Sequence, residues 1–89
     1  MKIIRKVKVK NPLGLHTRPA ASIVKLLQSK KASVHFTYKN ETINARSIMS
    51  ILMLAAKKNA VIEIIVEGED AELTMQHLLT AFDMEFGEK

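Results

Sequence analysis

An imidazole and a guanidinium stand two residues apart at His16 and Arg18, inside the stretch NPLGLHTRPAAS that runs from Asn11 to Ser22. Asn11-Pro12 and Gly14 mark a loop, and apolar residues recur at helical spacing from Ala20 onward, so His16 falls at a helix N-terminus. Pro19 suits the first turn, where no amide donor is needed. Such an end gathers free backbone amides and the positive pole of the helix dipole, a natural seat for an anion. An imidazole nitrogen accepts a phosphoryl group, and the fork of Arg18 matches phosphate oxygens, so the stretch describes an anion-binding nucleophile.

A second stretch, SIMSILMLAAKK from Ser47 to Lys58, opens on a hydroxyl and continues with an apolar run longer than one buried stripe requires. Serine is a preferred N-cap, so Ser47 has a structural use whatever else it does. Ile48, Met49 and Leu52 exceed what a short helix can bury on one side and are candidates for meeting a partner protein. The other histidines, His35 on the wet side of a strand and His77 off the apolar stripe of a helix, are surface residues with no assigned role. Cysteine clusters, HExxH, a phosphate-cradling glycine loop and paired carboxylates are all missing, which argues against a metalloenzyme or an independent hydrolase and for no bound cofactor.

The elements that position these residues follow from periodicity. Lys6, Lys8 and Lys10 alternate with Val7 and Val9, giving a strand over 2–9. Ala20, Ile23, Val24 and Leu27 form one stripe of a helix over about 17–28. Val34, Phe36 and Tyr38 alternate with polar residues, and a turn at Lys39-Asn40 leads to a partner run, 42–45, making a hairpin. A short helix capped by Ser47 follows, with Asn59 a candidate for the left-handed position at its end. Ile62, Ile64 and Val66 give the last strand, with Lys6 and Lys8 as prospective cross-strand partners of its acids. Asp70 is a good N-cap for a last helix carrying Ala71, Met75, Leu78, Leu79 and Phe82 on one face. The order is βαββαβα, and an antiparallel sheet with all helices on one face buries every stripe: an α+β open-faced sandwich.

The 89 residues, 47% apolar and 26% charged, suffice for one domain spanning 1–89. A net charge of +5 conceals an asymmetry: residues 1–58 hold thirteen Lys or Arg and one acid, Glu41, whereas the remainder holds eight acids and Lys89. A basic face follows, able to attract an acidic protein or nucleic acid. Nucleic acid is the weaker alternative because stacking aromatics are few and no GxxG loop is present. No cysteine, no apolar leader and no membrane-length run point to a cytoplasmic protein without membrane insertion.

The segment GLHTRPA, Gly14 to Ala20, resembles the active-site signature of HPr, the histidine-containing phosphocarrier family of the phosphoenolpyruvate-dependent sugar phosphotransferase system. RSIM at Arg46–Met49 is similar to the family's regulatory-serine segment and EGEDA at Glu67–Ala71 to its lead into the last helix, so the resemblance spans the chain. It implies a monomeric carrier, not an enzyme, in which Nδ1 of His16 takes phosphate from Enzyme I and passes it to sugar-specific IIA proteins. Thr17 and Arg18 would bind that phosphate. It also implies Ser47 as a site for an HPr kinase/phosphorylase. A regulatory paralogue serving a sugar-independent, nitrogen-type relay is the alternative within the family. Leu13 stands where the family usually has a polar residue, Ser50 where members that use the serine have glycine, and Ala55 where glycine is common.

Overall fold

The computed structural model describes residues 1–88. Its elements run β1 (Lys2–Lys8), α1 (Thr17–Leu27), β2 (Ser33–Tyr38), β3 (Glu41–Asn44), α2 (Ile48–Leu54), β4 (Val61–Glu67) and α3 (Ala71–Asp83), followed by a single 3₁₀ turn at Glu85–Gly87. The four strands form one antiparallel sheet in the order β1-β4-β2-β3. This is the expected open-faced α+β sandwich. Val34 and Phe36 from β2 and Ile62, Ile64 and Val66 from β4 are fully buried beneath Ala20, Ile23 and Leu27 of α1 and Leu78 and Phe82 of α3.

The hairpin closes as its sequence requires, because Lys39 and Asn40 both take left-handed backbone, the geometry that suits a two-residue connection. Across it the hydroxyls of Thr37 and Thr42 bond at 2.8 Å. Strand β1 stops one residue short of the expected 2–9, β3 lies at Glu41–Asn44 rather than 42–45, and other details differ from the sequence reading. Helix α2 stops at Leu54, with Ala55 in the left-handed position (φ 54°), while Asn59 (φ 74°) serves the turn into β4 rather than the end of the helix. Lys6 does face Glu63, but Lys8 faces Val61. Asp70 occupies the N-cap position of α3 without capping it. Its carboxylate instead accepts the amides of Lys31 and Ala32, each at 2.8 Å, and the Lys31 bond leads in holding the carboxyl below its ordinary pKa.

The α1–β2 loop that Asp70 grips is held from the other side by Arg46, whose guanidinium donates to the carbonyls of Leu27, Lys30 and Ala32 at 2.7–2.8 Å. Five backbone groups of one loop are thereby satisfied by two charged side chains, which fixes the far end of α1 and, through the helix, the orientation of its start. At the opposite end, an aromatic chain runs from the sheet to the C-terminal turn. Phe36 meets Phe82 edge to face (centroids 5.9 Å apart), and Phe82 meets Phe86 in the same manner (4.9 Å).

Candidate functional site

His16 is the N-cap residue of α1, with extended backbone (φ −78°, ψ −167°) and a side chain that makes no capping bond. Its carbonyl accepts the amide of Ala20 at 3.0 Å, and Pro19 has no amide to offer. The first-turn amides of Thr17 and Arg18 are therefore left as donors at the positive end of the helix, with no acceptor among the described residues. Thr17 and Arg18 are exposed, and the guanidinium of Arg18 has no hydrogen-bond or ionic partner among the described residues.

The loop before α1 is seated firmly. Gly14 has φ +68°, and a Cβ there would lie 2.3 Å from the Ala56 carbonyl oxygen and 2.9 Å from Lys57 Cα. That close approach lets the Leu15 amide bond Ala56 O at 3.0 Å, so the residues just past α2 hold the histidine loop. Glycine is required twice at this position, for its left-handed backbone and for the missing Cβ.

The imidazole itself is anchored from the other end of the chain. His16 Nε2 lies 2.8 Å from Glu88 Oε2 and 3.1 Å from Oε1, with the two side chains 29% and 15% exposed. Asn11, fully buried, donates from Nδ2 to the same Glu88 carboxylate and to the Glu85 carbonyl, leaving its own Oδ1 without a partner among the described residues. Neither Glu88 nor Asn11 stands out in the sequence reading as part of the site. Glu88 is 72 residues from His16, and no local pattern announces a tertiary contact of that span.

Ser47 is the N-cap of α2, accepting the Ser50 amide on its hydroxyl at 3.2 Å. Arg46 beside it reaches Leu27 O at the C-terminal end of α1, while the residues just past α2 hold the loop before α1, so Ser47 stands toward the end of α1 remote from His16. On α2, Ile48 and Met49 are exposed (Met49 67%), whereas Leu52 packs partly against the core. Met53 (73%) and Leu13 (76%) add to the apolar surface and are absent from the sequence-based set. His35 is half-buried in β2 and His77 exposed on α3; neither joins the His16 cluster. No group of three or more His, Cys, Asp or Glu side chains that could hold a metal occurs among the described residues, and no helix among them is long and apolar enough to cross a membrane.

Comparison with known proteins follows the same lines as this geometry. Residues 3–83 match the family described as PTS HPr component phosphorylation site. The phosphocarrier protein HPr of Chlamydia muridarum is 46% identical over 80 residues, covering 90% of this chain and 77% of its own. That of Xylella fastidiosa strain Temecula1 is 36% identical, covering 90% of both. Among solved structures, HPr from Thermoanaerobacter tengcongensis superposes with a TM-score of 0.93 at 31% identity, covering 98% of each chain. With a matching family signature, close relatives along nearly its whole length and the same fold, the chain belongs to the HPr family of phosphocarrier proteins of the bacterial phosphotransferase system.

Proposed function

We propose that the protein is a cytoplasmic carrier that takes a phosphoryl group on Nδ1 of His16 from a phosphohistidine of Enzyme I and delivers it to a histidine of a IIA protein. One observation carries this reading: Glu88 occupies Nε2, so the ring nitrogen left for chemistry is Nδ1, in a residue that caps a helix bearing two uncommitted amides and Arg18. Nδ1 attacks phosphorus in line as the donor's N–P bond breaks, and the bonding pair returns to the donor imidazole. The Thr17 and Arg18 amides and the guanidinium then bind the arriving oxygens, while transfer to the next protein reverses the same step.

The partner surface in this reading is the exposed apolar start of α2, Ile48 and Met49 with Leu52 partly buried behind them, in the half of the chain that holds thirteen Lys or Arg against one acid. Ser47 lies at its edge. Phosphate there adds about two negative charges next to the docking face, and its distance from His16 makes repulsion of the partner, rather than contact with the imidazole, the means of control.

Incubation with Enzyme I and phosphoenolpyruvate tests the carrier role. The native protein should acquire an acid-labile, alkali-stable phosphoryl group and His16→Ala, folded, should acquire none; full labelling of that variant would refute the assignment.

A further inference from the structure

We propose that Glu88 is a positioning residue for His16: its carboxylate receives the Nε2 proton, fixes the tautomer whose Nδ1 carries the reactive lone pair, and balances the positive charge the ring acquires when Nδ1 bonds phosphorus. This deepens the phosphocarrier reading and rests on it for the last of the three roles.

A carboxylate has only acceptors, so the 2.8 Å contact between Glu88 Oε2 and Nε2 of the neutral ring requires the proton to be on Nε2. Nδ1 and Nε2 lie on opposite edges of the imidazole, so the carboxylate orients the ring without occupying the place of the incoming phosphate. Attack by neutral Nδ1 leaves Nε2 protonated and the ring cationic, and the anion already bonded there stabilises that charge. A carboxylate on the remote nitrogen of a catalytic imidazole acts in this way in serine hydrolases.

The arrangement is built rather than incidental. Glu88 is only 15% exposed, which strengthens the bond over its value in water. The buried Asn11 amide grips the same carboxylate and the Glu85 carbonyl. Phe86, stacked edge-on to Phe82, ties the turn to the core, and Glu85 and Phe86 both take left-handed backbone to bring Glu88 back over α1. Non-glycine residues adopt that conformation at a cost that the surrounding contacts offset.

Two substitutions separate position from charge. In long-range proton–nitrogen NMR spectra of the unphosphorylated protein with the ring neutral, native protein and Glu88→Gln should both show the Nε2–H tautomer, because an amide oxygen still accepts. Glu88→Ala should show a mixture of tautomers. Phosphoryl acceptance from Enzyme I should fall about tenfold in kcat in the alanine variant, with KM for the carrier little changed, and less in the glutamine variant. A folded alanine variant with the native tautomer and native kcat would overturn the proposal, as would a native protein protonated on Nδ1. Failure of Enzyme I to label even the native protein would instead refute the phosphocarrier reading, since the tautomer is measured without any partner.

Discussion

Asp70 shows how a residue's type can be legible while its work is not. An aspartate before a helix reads as a cap, yet this carboxylate turns to the α1–β2 loop and accepts two amides there. The competing loop donors lie 38 and 39 residues away, beyond any local pattern. Because those bonds favour the charged form, the folded-state pKa is depressed, and Asp70 contributes stability that is complete well above about pH 4 and is lost as pH falls through the lower folded value. Asp70→Asn should therefore lower the melting temperature at pH 7 and by a smaller amount near pH 2. An equal deficit at both pH values would show that the ionised carboxylate is not what matters. His16 and Arg18, by contrast, were legible because loop signal, proline and apolar stripe sit within a dozen residues. Glu88 and Asn11 were not, since the contact that gives them a role exists only in the folded chain.

Among the elements, the strands and helices followed their periodicity closely and the ends did not. The sequence offers Asn59 as the left-handed end of α2, but the helix closes at Leu54, where Ala55 turns left-handed and its amide bonds Leu52 O, and the Ala56 carbonyl just beyond accepts the Leu15 amide of the histidine loop. The resulting turn puts Ala55, a residue with a Cβ, in left-handed backbone at φ 54°. That conformation costs an L-residue about 1–2 kcal/mol, partly offset by the extra unfolded-state entropy of glycine. Ala55→Gly should consequently stabilise the protein by about 0.5–1 kcal/mol in urea unfolding. A loss of stability would mean that the alanine methyl packs usefully and that the strain argument is wrong. Thr74 of α3 is a related surprise, fully buried with a hydroxyl that has no partner among the described residues, on a face where only apolar residues were expected.

For the molecule as a whole, the charge asymmetry of the chain is redistributed by topology. Antiparallel pairing of β1 with β4 sets Lys6 opposite Glu63 and Lys2 opposite Glu67, and Lys10 pairs with Asp83 of α3, so much of the N-terminal basic charge meets the C-terminal acids. No acid lies between residues 12 and 40 or between 42 and 62. Helices α1 and α2 and the segments flanking them carry exposed Arg18, Lys25, Lys57 and Lys58 together with exposed Leu13, Met49 and Met53. Exposed apolar and basic side chains on the same elements suit a transient, electrostatically steered encounter with an acidic partner. Replacing Met49 by Asp should weaken Enzyme I binding about tenfold while leaving the melting temperature nearly unchanged, as expected of a side chain 67% exposed. Unaltered affinity by calorimetric titration would remove this patch from the docking face.

The most direct test of the account is to identify the atom that carries the phosphoryl group. Phosphorus and nitrogen NMR of the nitrogen-15-labelled protein, recorded after reaction with Enzyme I and phosphoenolpyruvate, should show phosphorus coupled to Nδ1 of His16 with Nε2 still protonated against Glu88. Coupling to Nε2, or a phosphoryl group on His35 or His77, would contradict it.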